Sequence, residues 1–386
     1  MEQFFATCPR GLEQVLVAEI AALGACEVQA VDGGVAFAGD LGRCYAANLE
    51  SRVASRVLWQ IGAAPYRSED DIHAAARRLP WPQLFDVRRS IRVGTSAIKS
   101  PVRSLDFVTL RVKDAVCDAF RERGGKRPDV DTQAPDVRIV VFLTREEATF
   151  YLDTSGDPLF RRGWRAARGE APLRENLAAG ILKLTGWTAP TPLFDPMCGS
   201  GTFLVEAAMM ALDIAPGLNR AFGFEKLENF DAGRWKALRE EARARRNPLL
   251  TLPVYGSDKS GSVLGLAREN LQGAGIAGAV TLKQMSMLDA SPPSPQPGIL
   301  IMNPPYGERT GEREELAAFY PKLGDVLKQR FAGWTAYIFT ADLRLPKLIR
   351  LAASRRVPLF NGALECRLFK YELVAGSRRG AKVPEA

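Results

Sequence analysis

The sequence predicts an α/β chain in two parts, an open α+β N-terminal half followed by a parallel sheet that finishes in an antiparallel hairpin. Three observations carry this. Between residues 193 and 341, five short apolar runs alternate with helical segments, the pattern of a parallel sheet covered on both faces. Beyond them, Asn361-Gly362 separates two further apolar runs, a strong hairpin signal. Before residue 154 strand-like runs mix with only two or so helices, which fits an open α+β unit better than a doubly wound sheet.

In chain order, residues 11–23 set Leu12, Val15, Leu16, Ala18 and Ile20 at helical spacing and close on Gly24. Residues 27–37 read as a strand pair about Asp32-Gly33-Gly34. Residues 51–62 are mixed, 90–96 a strand, and 107–123 a helix closed by Gly124-Gly125, with 138–144 and 148–153 as a hairpin. Residues 172–186 open the second half as an amphipathic helix with proline at its start and glycine at its end. The strand candidates 193–196, 253–258, 279–285, 298–303 and 335–341 follow. Residues 231–247 form a polar, arginine-rich helix, expected as an insertion on the surface. The loop Ser291-Pro-Pro-Ser-Pro-Gln-Pro297 is stiff and functionally silent.

The 386 residues have room for two or three domains, each with a full core. A hydrophobic fraction of 46% and a charged fraction of 25% are those of a globular protein. Apolar runs such as 139–143 and 298–302 fall far short of the roughly 20 residues that a membrane helix needs, so no membrane partner is expected. The start, Met1-Glu-Gln-Phe-Phe5, lacks a basic segment ahead of a long apolar one, so no secretory signal is expected. Six cysteines without CxxC spacing read as reduced cytoplasmic thiols, with no metal site and no disulfide framework. The single histidine, His73, lies in the charged stretch 69–73 and reads as a surface residue. A Ser-His-Asp triad is thereby all but excluded. Any catalysis here proceeds without histidine.

Net charge is +8, which permits a polyanionic partner without establishing one. Its distribution says more. Residues 88–127 hold eleven Lys or Arg against four acids. From this stretch Arg88, Arg89, Lys99, Arg103, Arg121, Arg123, Lys126 and Arg127 are candidates for contacting a nucleic-acid backbone. A second basic cluster at 161–168, with Trp164 inside it, adds Arg161, Arg162 and Arg165.

The chemistry concentrates in the second half. Asp195-Pro-Met-Cys-Gly-Ser-Gly-Thr202 stands between a strand and a helix, and its glycines let backbone approach a ligand closely. No Gly-Lys-Ser/Thr follows, so this is not a phosphate-binding P-loop. Asp195 would repel phosphates but suits an amino group. Asp258 ends the next strand, where a carboxylate accepts from two ribose hydroxyls, and Asp289 follows the third strand within reach of an adenine amine. These three acids fit S-adenosylmethionine. Met197, Gly199, Ser200, Gly201 and Thr202 of the loop, with Lys259 beside Asp258, complete the candidate cofactor set. Asn303-Pro-Pro-Tyr306 follows the apolar run 298–302. The Asn303 side-chain oxygen and the Pro304 carbonyl can each accept one hydrogen of an exocyclic base amine, directing its lone pair at an electrophilic methyl group. Tyr306 offers a face on which a flipped base can stack. Asn303, Pro304 and Tyr306 are the candidate catalytic residues, with Asn303 also bordering the cofactor.

Phe160-Arg-Arg-Gly-Trp-Arg165, residues 171–179, Asp195–Thr202, Phe222-Gly-Phe-Glu225, Asn303-Pro-Pro-Tyr-Gly-Glu-Arg309 and Asn361-Gly-Ala-Leu-Glu-Cys366 occur in this order. Together they resemble the THUMP-bearing guanine-N2 RNA methyltransferases of the NPPY type, above all the branch acting on 23S ribosomal RNA. The resemblance covers nearly the whole chain and is most specific from residue 160 onward. It implies a ferredoxin-like segment at 1–42, a THUMP RNA-binding domain at 43–154, a linker at 155–170 and a Rossmann-like, seven-stranded methyltransferase domain at 171–386. It also implies that Asn176 lines the cofactor pocket, and that the partner of an expected monomer is 23S rRNA or a ribosome assembly intermediate. The second methyltransferase domain of the larger bifunctional members is not present in these residues, so one activity is expected. Asn303 does not by itself separate guanine N2 from adenine N6. Guanine N2 in transfer RNA and adenine N6 in RNA or DNA remain alternatives, with a noncatalytic RNA-binding role the least favoured.

Overall fold

The computed structural model describes residues 1–165, 173–248, 250–305 and 312–374. They form two compact units that do not simply follow one another along the chain: residues 1–8, 13–162 and 215–244 make the first, and 9–12, 163–214 and the described residues from 245 make the second.

The first unit is built on β1 (Glu2–Thr7), β2 (Cys26–Val31), β3 (Gly34–Gly39), β4 (Arg56–Pro65), β5 (Ile91–Ala97), β6 (Val137–Leu143) and β7 (Glu147–Asp153). These form one sheet in the order β2-β3-β1-β4-β7-β6-β5, with only β5 and β6 parallel. The ten-residue β4 is the joint. Its residues 56–60 pair with β1, and nearly its whole length pairs with β7. The ferredoxin-like and THUMP segments expected from the sequence thus share a single sheet. Along β6, Val137, Ile139, Val141 and Leu143 are buried while the residues between them are half-buried, the period-two pattern of a strand with one face on the core. Helices α1 (Glu13–Ala22), α2 (Leu41–Glu50), α3 (Glu69–Arg77), α4 (Trp81–Leu84) and α5 (Leu105–Gly124) complete this part. The long α5 starts where the Ser104 hydroxyl accepts the Phe107 N–H at 3.2 Å, and it buries Val108, Val112, Ala115, Val116 and Phe120.

The rest of the chain supplies α6 (Glu175–Thr185), β8 (Leu193–Asp195), α7 (Thr202–Ala211), α8 (Ala232–Ala244), β9 (Val254–Asp258), α9 (Gly261–Gly273), β10 (Thr281–Gln284), β11 (Ile299–Met302), α10 (Glu312–Arg330), β12 (Thr335–Thr340), α11 (Leu345–Leu348), β13 (Arg355–Asn361) and β14 (Leu364–Glu372). Except for α8, all of these belong to the second unit. Its sheet runs β10-β9-β8-β11-β12-β14-β13, parallel from β10 to β12 and antiparallel at β14 and β13. This is the seven-stranded sheet with a C-terminal hairpin that the sequence predicted. Leu300, Ile301 and Met302 of β11 are all fully buried, because a central parallel strand is covered on both faces and so reads as a continuous apolar run.

One expectation is extended and one corrected. The helix at 231–247, expected as a polar helix on the surface, is α8, exposed over most of its length, and it belongs to the first unit. Trp235 is only 4% exposed and sets its edge against Tyr45, Phe222 and Phe224, and Arg234 pairs with Asp40 at 2.7 Å. Burying such a ring contributes roughly 2–3 kcal/mol, but one tryptophan among charged residues makes no periodic apolar face for a sequence reading to find. The hairpin between β13 and β14 forms as expected, but its two loop residues are Gly362-Ala363, since Asn361 pairs with Leu364. Positive φ falls on Gly362 alone (+67°), the requirement of a II′ turn, whereas Asn-Gly as the loop would need it at both positions.

Candidate active site

Strand β8 lies between β9 and β11 in the second unit, so the connections leaving it and β11 diverge in opposite directions. Ligands bind in such open sheets at this switch point, beyond the carboxyl ends of the strands. The register sets Leu300 opposite Phe194. Asp195, the last residue of β8, therefore stands beside Ile301, and Asn303 emerges two positions further along the neighbouring strand.

Asp195 is 2% exposed and accepts the Met197 N–H at 3.1 Å. Burial pushes its carboxyl well above the usual carboxylate range. The Met197 bond opposes the shift, and the Asp258 carboxylate reinforces it. The loop that follows is tied down at several points. The Cys198 N–H donates to Ser257 O at 2.9 Å, the Gly201 N–H to Cys198 O at 2.8 Å, and Asn270 Nδ2 to Ser200 O at 3.0 Å. Gly201 sits in the left-handed region (φ +81°) as the N-cap of α7, and a Cβ there would come within 3.2 Å of Ala267. No other residue type meets both demands without strain. Asp258 bridges two loops, its Oδ2 accepting the Gly199 N–H at 3.1 Å and its Oδ1 the Ser260 N–H at 2.9 Å. Burial, then the two aspartates, hold the Cys198 thiol well above the ordinary thiol range, which disfavours the thiolate.

The remaining predicted cofactor residues are spread around this centre. Asn176, in the first turn of α6, is fully buried, and Thr202 is 5% exposed at the start of α7. Met197 is half-buried against the core of the sheet. Lys259 directs an exposed side chain to solvent, while its carbonyl accepts from Gln284 Nε2 at 3.1 Å. Asp289 is exposed at the end of a short 3₁₀ turn after β10, its N–H bonded to Ser286 O at 3.0 Å. Asn303 is half-buried and Pro304 buried at the end of β11. Tyr306 lies outside the described residues.

The predicted RNA contacts divide. Arg88, Lys99, Arg103, Arg121, Arg123, Lys126, Arg127 and Arg161 are exposed and Arg89 is half-buried, all in the first unit. Of these, Arg88 pairs with Asp86 at 2.8 Å, Arg121 with Asp118 at 3.2 Å and Arg161 with Asp157 at 3.4 Å. The side chains of Lys99, Arg103, Arg123, Lys126 and Arg127 make no ion pair or hydrogen bond among the described residues. Two candidates are corrected outright. Arg162 is 3% exposed and donates to the carbonyls of Leu159 and Arg52, which makes it part of the core. Arg165 has a side chain 9% exposed in the second unit, spent on Glu175, Leu173 and Thr202. A basic run with an aromatic inside it looks solvent-facing in the sequence, but burial cannot be read from charge.

The sequence reading also missed Asn270, fully buried on α9 between the buried Ala267 and Leu271. A polar residue among the apolar positions of a helix was the available signal. Among the described residues no cluster of His, Cys, Asp or Glu is arranged to hold a metal ion, and no helix is long and apolar enough to cross a membrane.

Comparison with known proteins agrees with this topology. Residues 162–370 match the RMKL-like methyltransferase domain, residues 66–153 the THUMP domain and residues 3–58 the RlmL ferredoxin-like domain. Synechocystis slr0064, an RNA methyltransferase by name, is 39% identical over 96% of both chains. The ribosomal RNA large subunit methyltransferase K/L of Aeromonas hydrophila is 40% identical over 98% of this chain, which spans 55% of that longer protein. The solved structure of SMU.472, a methyltransferase by name in complex with SAH, superposes with a TM-score of 0.88 at 30% identity, covering 97% of this chain and 99% of that one. Sheet order, switch-point acids and matched domains converge, and the chain belongs to the RMKL-like methyltransferase family, with THUMP and RlmL ferredoxin-like domains ahead of the methyltransferase domain.

Proposed function

We propose that this chain transfers a methyl group from S-adenosylmethionine to the exocyclic N2 amine of a guanosine in RNA, with large-subunit ribosomal RNA as the substrate. The observation that carries the reading is the pairing at the switch point of a buried acid, Asp195, with Asn303 at the end of the adjacent strand. The residues fit the cofactor. A carboxylate as buried as Asp195 needs a cationic partner to stay ionised, and the amino group of the methionine moiety is one. Each Asp258 oxygen already accepts one backbone N–H and keeps a second lone pair, enough for two ribose hydroxyls. When bound, S-adenosylmethionine supplies an electrophilic methyl group. Asn176, Asp195, residues 197–201 of the loop, Asp258, Lys259 and Asp289 are the residues proposed to hold it, while the Thr202 hydroxyl is already committed to Arg165.

The protein's own contribution is orientation. The lone pair of a base amine is delocalised into the ring and nucleophilicity is low. Two acceptors, the Asn303 side-chain oxygen and the Pro304 carbonyl, take one amine hydrogen each, which turns the lone pair out of the ring and stabilises positive charge growing on nitrogen. S-adenosylhomocysteine is the leaving group, and the methylated amine, acidic once cationic, gives its surplus proton to water after transfer, so no histidine base is required. The unpaired basic side chains of α5 and its flanking loops are proposed to hold the RNA backbone.

The test is mass-spectrometric mapping of modified nucleosides after the protein acts on RNA stripped of its modifications. N2-methylguanosine at one large-subunit site is expected. N6-methyladenosine, or methylation confined to transfer RNA, would overturn the base or the substrate respectively.

A further inference from the structure

We propose that Arg165 is a positioning residue for the cofactor loop. Its side chain carries one guanidinium plane to three acceptors: Nε donates to Glu175 Oε1 at 2.7 Å, and Nη2 donates to Leu173 O at 3.1 Å and to Thr202 Oγ1 at 2.9 Å. Glu175 is the first residue of α6 and Thr202 the first of α7. A single side chain thus pins together the N-terminal ends of two helices that pack side by side. One of them carries the buried Asn176, and the other begins directly after Gly199-Ser200-Gly201.

The clasp has a rigid base. Trp164 is 4% exposed, and its carbonyl lies so close to Gly273 of α9 that a Cβ there would come within 2.5 Å. The guanidinium rests 5.1 Å from the centroid of the Trp164 ring. The ion pair with Glu175 is buried on both sides, 9% and 6% exposed, so removing either partner leaves a charge in a site that cannot solvate it. Lysine is no substitute, because a point charge cannot serve three acceptors fixed in one fork. Gly201 gives the loop its freedom to turn, and Arg165 limits that freedom by fixing how the first turn of α7 is rotated. The amides of residues 199–201 then present the same face each time a ligand arrives.

This inference rests on S-adenosylmethionine as the ligand, and is indifferent to which base is methylated. The experiment measures calorimetric affinity for S-adenosylhomocysteine in Arg165→Lys, in Thr202→Val and in the double variant, alongside thermal midpoints and the salt dependence of RNA binding. Each single variant is expected to weaken affinity about tenfold, the loss of one hydrogen bond to a charged group, with kcat at saturating S-adenosylmethionine within about threefold of wild type. The two losses should not add, because both remove the same contact. The slope of RNA affinity against salt should stay unchanged. A folded Arg165→Lys with wild-type affinity overturns the proposal. So do additive losses, which would give Thr202 a separate contact with the cofactor. A flatter salt slope would return Arg165 to the RNA interface. Should Arg165→Lys fail to fold, the near-isosteric Thr202→Val decides alone: wild-type affinity sinks the idea, and weakened affinity with unchanged kcat supports it.

Discussion

The loop at the end of β8 and the helix α5 both carry the charges that the sequence singled out, but they are built on opposite principles. Around Asp195 the charged and polar groups are buried and locked by directed hydrogen bonds: Asp195 at 2% exposure, Asn270 fully buried, Arg165 in a three-way fork. Along α5 and its flanking loops the basic residues are exposed, and Lys99, Arg103, Arg123, Lys126 and Arg127 reach solvent without partners among the described residues. A small ligand carrying fixed charges is recognised by geometry inside a low-dielectric pocket. A polyanion is gripped by many hydrated charges, each worth little, whose sum depends on salt. The contrast sets what each region can do. Substitutions in the loop should change affinity or turnover without changing ionic-strength dependence, while substitutions on α5 should do the reverse.

The largest effect should come from Asn303→Ala. Removing one acceptor that stabilises transition-state charge costs on the order of 10²–10³ in kcat, with cofactor affinity retained. Single-turnover transfer of a labelled methyl group beside calorimetry checks this, and a variant with wild-type turnover would break the assignment of orientation to this loop.

Asp195→Asn should come next, weakening the affinity for S-adenosylhomocysteine roughly 10- to 100-fold, the worth of a charge-assisted hydrogen bond in a buried setting. A pH signature accompanies it. In the empty site burial raises the Asp195 pKa above its ordinary 3.8, so the carboxyl is protonated across a window above that value. Binding an ammonium group requires the ionised form, so binding releases a proton and tightens as pH rises through the window. The linkage to folding has the other sign: Asp195 favours the empty folded state below the unfolded value and loses that contribution as pH climbs through the folded one. Calorimetry in buffers of different ionisation heat counts the protons. Zero release in the wild type would separate Asp195 from the amino group.

The smallest effect per residue belongs to α5. Replacing Arg123, Lys126 and Arg127 by alanine should lower the slope of log affinity against log salt by about 0.7–0.9 per lost contact. Alanine at Arg88, already paired with Asp86, should change the slope less. Arg162→Ala should leave the slope alone and lower the thermal midpoint, since that side chain is buried and donates to backbone carbonyls. Equal slope changes for paired and unpaired arginines would erase the distinction drawn between them.

Where the physics is local, the sequence was sufficient. Apolar runs marked β8, β11 and β12 most plainly, because a parallel strand covered on both faces must be continuously apolar. Asp195, Asp258 and Asn303 were legible because each falls at the end of such a run, and the glycines between Asp195 and Thr202 announced a tight turn. Other features were decided only in three dimensions. Arg162 and Arg165 look like their exposed neighbour Arg161 in a string of letters, yet packing buries two and exposes one. Helix α8 joins the first unit through Trp235 and the Arg234–Asp40 pair, and β4 makes one sheet of two segments expected to be separate. Sequence determines what a residue can bond to and how often apolar positions recur. Burial and partners depend on contacts between segments far apart in the chain, and these exist only once the tertiary structure has formed.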